Sequence, residues 1–98
     1  MEFTQYKKSL TEVKPQENLS DILKGLWYDA NGNWDKAHDL IDGNPEHGSS
    51  WAHAYLHRKE GDLWNADYWY RRAGRIRPNI SLDEEWEEIV RWLITDNR

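Results

Sequence analysis

The chain has no cysteine, only one phenylalanine, one methionine and three prolines among its 98 residues. Without cysteine there are no disulfides and no thiolate metal sites. No stretch of the sequence approaches the apolar length needed to cross a membrane, and the first twenty residues lack the apolar run of a typical secretory signal. Those absences point to a soluble cytoplasmic protein. Also missing are a glycine-rich phosphate loop, a nucleophile flanked by an evident base, and any strand-like alternation. Ser49 and Ser50 followed by His53 do not make a catalytic pair. No catalytic residue, enzyme activity or cofactor is expected.

What the chain has in excess is tryptophan and tyrosine, seven and five respectively, against a modest hydrophobic content of 38%. Such rings bury a large area and keep a polar group that wants a partner. They read first as the core of a small domain and second as a binding surface. Net charge is −5, which argues against a generic polyanion binder and disfavours nucleic acid. Charge is uneven, however: residues 57–77 carry six Lys/Arg against three acids, between two acidic stretches.

Gly32 to Ala37, GNWDKA, recurs 29 residues later as Gly61 to Ala66, GDLWNA. Helix-like segments flank both copies. Leu19, Ile22, Leu23, Leu26, Trp27 and Ala30 form one stripe of a helix over 19–31, which Asn18 or Ser20 can cap. A second helix covers 33–42, with Trp34, Ala37, Leu40 and Ile41 on one face. Asn44-Pro45-Glu46 reads as a helix start, predicting a third helix over 45–60 that is apolar around much of its circumference. The fourth covers 62–75 and buries Leu63, Ala66, Trp69, Tyr70 and Ala73. Ser81 with Glu84 is a capping box for a fifth, whose inner face is Leu82, Trp86, Ile89, Val90 and Leu93, with Asp83, Glu84, Glu85, Glu87 and Glu88 in solvent. Residues 1–18 carry Phe3, Tyr6, Leu10 and Val13 at helical spacing and are either a short docked helix or a mobile extension of the single domain 19–98.

Gly61, Ala66, Tyr70, Ala73 and Pro78, with Gly25, Tyr28, Gly32 and Ala37 before them, resemble the spacing of tetratricopeptide repeats. The chain also resembles a small bacterial family rich in such Trp/Tyr/Arg segments, which implies no activity. The first resemblance implies an all-α fold of two tetratricopeptide-like hairpins plus a C-terminal capping helix. Three departures stand out: a period of 29 rather than the usual 34, His53 and His57 where apolar residues belong, and only two units. If the leading helices line a concave surface, as the resemblance implies, Trp51, Tyr55 and Arg58 face the groove. Trp, Tyr and Arg are the residues most enriched in binding hot spots.

Two constellations could carry chemistry. Asp67 to Arg77, DYWYRRAGRIR, interleaves rings with Arg71, Arg72, Arg75 and Arg77; guanidiniums grip carboxylates in a peptide or small acid, and Arg71 and Arg75 share a helix face. The simpler expectation is that these arginines pair with Asp62, Asp67 or the acidic fifth helix. His53 and His57, four apart, can point the same way and make half of a metal site, with His38, Asp39 or His47 as candidate third ligands. Against that, both rings can simply pack beside Trp and Tyr and hydrogen-bond to helix carbonyls or acids. The favoured function is a protein- or peptide-binding module for a partner with acidic character, using Trp51, Tyr55, Arg58, Arg71 and Arg75. A structural homodimer and a metal or small-ligand protein built on His53 and His57 are the alternatives.

Overall fold

A computed structural model describes residues 1–95 as six helices with no strand among them. The repeated turn sets the architecture. The Gly32 amide donates to the Asp29 carbonyl at 3.0 Å and Asn33 to Tyr28 at 2.9 Å; Gly61 donates to Arg58 at 3.1 Å and Asp62 to His57 at 3.0 Å. Gly32 and Gly61 have φ of 84° and 88°, the left-handed conformation that lets a helix end on this bonding pattern. The residue that completes each stop is also the next start: Asn33 accepts from the Lys36 amide and Asp62 from the Asn65 amide. Each Gly-Asx pair thus completes a three-residue connection that folds one helix back on the next. In this way α2 (Asp21–Ala30) folds onto α3 (Trp34–Ile41), and α4 (Ser49–Lys59) onto α5 (Leu63–Arg72).

Two element boundaries differ from the sequence expectation. α4 begins at Ser49 rather than Pro45, because the Asn44 side chain accepts from the nearby Glu46 amide at 2.8 Å and so closes a local turn. Gly48 then carries φ of 91° and lies so close to α6 (Leu82–Thr95) that a Cβ there would meet Leu93 and Trp92 at 2.7 and 2.8 Å. α5 ends at Arg72 rather than Arg75: Gly74, with φ of 71°, repeats the same stop, Arg75 donating to the Tyr70 carbonyl at 2.8 Å. No capping residue follows, so no helix restarts until Ser81 and Glu84, whose reciprocal bonds of 3.1 Å open α6.

Residues 3–9 form α1, and its Tyr6 is fully buried in the same core. The Tyr6 hydroxyl donates to the Leu23 carbonyl at 2.5 Å, Trp27 donates to the Ser9 carbonyl at 3.0 Å, and Tyr6 packs on Trp86. The N-terminal segment is therefore docked. Every residue of α4 from Trp51 to His57 is buried, as its all-round apolar pattern predicts. The aromatic core also finds its polar partners: Trp34 donates to the Leu56 carbonyl and Trp86 to the Leu26 carbonyl. A buried indole N–H left without an acceptor costs about 1–3 kcal/mol, so these bonds select how the rings sit. No helix among the described residues is long and apolar enough to cross a membrane.

Candidate functional site

Two polar regions flank α4, one on each side. On the α6 side, Glu85 is fully buried rather than solvated. Its carboxylate accepts from Trp51 Nε1 at 3.1 Å, from the Tyr70 hydroxyl at 2.7 and 2.8 Å, and from Arg58 at 2.7 Å. Arg58 also donates to the Ile80 carbonyl. Buried carboxylates need such a full set of donors to persist in a core. Glu85 falls three residues after Leu82 and four before Ile89, on the edge of the apolar stripe; that position is the signal that the acid runs inward. Asp29 follows the same rule on α2, and is held by Tyr55 at 3.1 Å and Lys59 at 2.9 Å.

These networks explain where the expected groove residues lie. Trp51 is 5% exposed and Tyr55 2% exposed, so both are core residues and neither faces a groove. The reason is that each side chain is drawn inward by a buried acid, Trp51 by Glu85 and Tyr55 by Asp29. Arg58, Arg71 and Arg75, in contrast, come together. With Arg77, Asp67 and Ile76 they line one cleft of about 560 Å³, within the usual range of ligand pockets. Arg77 is engaged by Asp67 at 3.0 Å and Arg58 by Glu85. Arg71 and Arg75 make no ion pair with the described residues; Arg75 instead lies over Trp51, its Cζ 3.3 Å from the ring centre. Beside the cleft, α5 leaves Leu63, Trp64 and Tyr68 exposed, Trp64 at 79%. Leu63 was expected in the core, but the stop at Gly61 and the cap at Asp62 start α5 with that position turned outward.

On the opposite side of α4, His53 and His57 meet His38 from α3. One ring nitrogen from each lies within 4.8 Å of the others. His38 Nε2 and His53 Nε2 are 3.1 Å apart, and His57 Nδ1 is 2.6 Å from Glu60 Oε1. The rings are held between indoles: Trp34 stacks on His38 at 5.0 Å between centres and Trp69 on His53 at 4.0 Å. Burial, followed by the mutual repulsion of His57 and His38, pushes the His53 imidazole down from 6.5 to about 4, with Asp42 acting in the opposite sense. Packing beside tryptophan and bonding to an acid are thus both seen. Asp39 is exposed, and His47 packs on Trp92 at 4.6 Å; neither belongs to the three-histidine group.

The chain matches no protein-family model and shows no significant similarity to a curated protein or a solved structure.

Proposed function

We propose that the chain is a non-enzymatic binding module that takes an acidic segment of a protein or peptide into the cleft between α5 and the 75–79 strap. One observation carries this reading. Arg71 and Arg75 line a common cleft and make no ion pair with the described residues, whereas Arg58 and Arg77 on the same walls are already paired, Arg77 with the Asp67 that shares the cleft. Planar guanidiniums match carboxylates in two-point geometry, and Arg75 is held in place by the Trp51 face beneath it. The exposed Leu63, Trp64 and Tyr68 continue the surface along α5 and suit apolar residues flanking the acid. The resemblance to tetratricopeptide modules, which bind extended segments, points the same way but uses a different face from the one it implies.

The test uses the full chain and short peptides carrying Asp or Glu beside Leu or Ile, with Asn/Gln counterparts as controls. Binding to the folded state raises the melting temperature as the logarithm of ligand concentration over Kd, and Trp51 beside Arg75 is placed to report it by fluorescence. The expected result is binding of the acidic set alone, weakened about 10–150-fold by each of Arg71→Ala and Arg75→Ala, since one charge-assisted bond is worth about 1.5–3 kcal/mol. Equal binding of the Gln set, or an Arg71→Glu/Arg75→Glu chain that binds as well as wild type, would falsify the reading. Self-association lost on Trp64→Ala, with no response to acidic peptides, would instead favour the homodimer.

A further inference from the structure

We propose that His38, His53 and His57 form a three-imidazole site for a divalent transition metal of the zinc class. The site is independent of the arginine cleft, being on the other side of α4. Its elements converge for simple reasons. His53 and His57 are one turn apart on a buried helix, and the Gly32-Asn33 turn folds α3 back so that His38, four residues after Trp34, meets them. His38 stands at the half-buried rim and the other two are buried behind it.

The distances suit coordination. Two nitrogens each about 2.0–2.1 Å from a tetrahedral ion are about 3.3 Å apart. His38 Nε2 and His53 Nε2 are separated by 3.1 Å, so closing on an ion asks for adjustments of tenths of an ångström at this edge. The third nitrogen, within 4.8 Å, requires a modest rotation of His57 or His38.

The outer partners suit it too. A ligating histidine generally donates its other ring N–H to a carboxylate or carbonyl, which fixes the tautomer. With Nδ1 protonated, His57 donates to Glu60 Oε1 at 2.6 Å, and Nε2 remains as its ligand atom. In the same tautomer His53 turns its Nδ1–H toward Asp42 Oδ1, 3.9 Å away, within reach of a small side-chain shift. The acids are supplied by the ends of the same hairpins: Glu60 closes α4 and Asp42 closes α3.

Neutral imidazoles also carry lone pairs that an ion can use. Each carries one N–H and one lone pair. A single N–H···N bond between His38 and His53 satisfies one lone pair, whereas an ion takes one from each ring at once. Imidazole donors suit Zn²⁺, Cu²⁺ and Ni²⁺. Three of them leave a fourth tetrahedral position for solvent or a small ligand, the pattern of open rather than closed zinc sites.

The test titrates Zn²⁺ alone into the full chain after chelator treatment, by calorimetry and thermal shift, with Co²⁺ absorption to read the coordination number. Expected are one ion per chain, a raised melting temperature, and a four-coordinate cobalt spectrum. His38→Ala, at the rim, is expected to lower affinity at least a hundredfold while circular dichroism stays helical. Glu60→Gln should lower it about 10–100-fold, as outer-shell losses do. His47→Ala, outside the group, should leave it unchanged. Absence of stoichiometric binding in the folded wild type overturns the proposal, as does wild-type affinity in His38→Ala. If His57→Ala proves unfolded, His38→Ala and His38→Gln still decide the matter, since they remove a ligand without touching the buried pair.

Discussion

Glu85 and the histidine trio are both buried polar centres packed on α4, yet they are saturated to different degrees. The Glu85 carboxylate receives donors from Trp51, Tyr70 and Arg58, drawn from α4 and α5. Nothing further is needed, and the cluster ties three helices into one arrangement. The histidines instead hold lone pairs that neighbouring rings satisfy only in part, and their carboxylate partners Glu60 and Asp42 sit outside them. A saturated polar centre is a structural device, because adding a ligand would break bonds already made. An unsaturated one has chemical capacity left. That contrast separates scaffold from site more clearly than burial does, since both centres are buried.

The largest expected effect breaks the saturated centre. Glu85→Ala leaves the Arg58 guanidinium, the Trp51 indole and the Tyr70 hydroxyl without their common acceptor. Removing one partner of a buried ion pair costs about 3–5 kcal/mol, a large share of the stability of so small a domain. Urea unfolding should show it as a shifted midpoint. A loss below about 1 kcal/mol would mean that the donors re-pair with solvent and that the centre is not structural. His38→Ala, by comparison, should lose far less stability in chelator, because the ring is at the half-buried rim.

Opposite ends of the pH scale should attack the two centres. The His53 imidazole is lowered to about 4 in the fold against 6.5 outside it. A depressed cationic group favours the unfolded state on protonation. Its contribution is therefore complete above pH 6.5 and lost as pH falls toward 4, up to about 3 kcal/mol in all. The groups facing it are His57 on α4, His38 on α3 and Asp42 at the end of α3. In chelator, the denaturation midpoint should fall across that window in wild type and stay flatter in His53→Phe. The Tyr70 hydroxyl is raised above 10 by burial first and then by its bonds to Glu85. Its contribution is complete below pH 10 and is lost as pH rises beyond it. Tyr6 and Tyr55 are raised in the same way by burial, so alkaline unfolding is expected only above pH 10 and reads the three buried hydroxyls together.

How much of this could be read from the residues depends on whether the signal was local. The Gly-Asx turns, the Ser81–Glu84 box and the apolar circumference of α4 are local, and each is where the pattern places it. The start of α4 is not legible locally, because Asn44 can cap either a helix or a single turn, and the close approach of Gly48 to Leu93 lies outside the local pattern. Trp51 and Tyr55 leave the groove that the repeat resemblance implies because their partners, Glu85 and Asp29, lie 34 and 26 residues away, beyond any local pattern. His38 was recognisable only as one of three candidates. What selects it is the α3–α4 crossing, which no spacing along the chain encodes.

The smallest expected effect on stability is the one that tests whether the cleft belongs with the saturated or the unsaturated centre. Arg71 is exposed and makes no ion pair with the described residues. Exposed side chains without such partners change stability by only about 0.5 kcal/mol or less on truncation. Arg71→Ala should therefore unfold at nearly the wild-type denaturant concentration, with an unchanged slope, while losing affinity for the acidic peptides. Arg77→Ala is the control, because its partner is Asp67 within the chain; exposed pairs of that kind are worth about 0–1 kcal/mol. If Arg71→Ala instead destabilises the fold as strongly as loss of a buried bond, the arginine serves the scaffold as Arg58 does. The cleft would then be a second saturated region, leaving the three histidines as the part of the molecule with chemistry to spare.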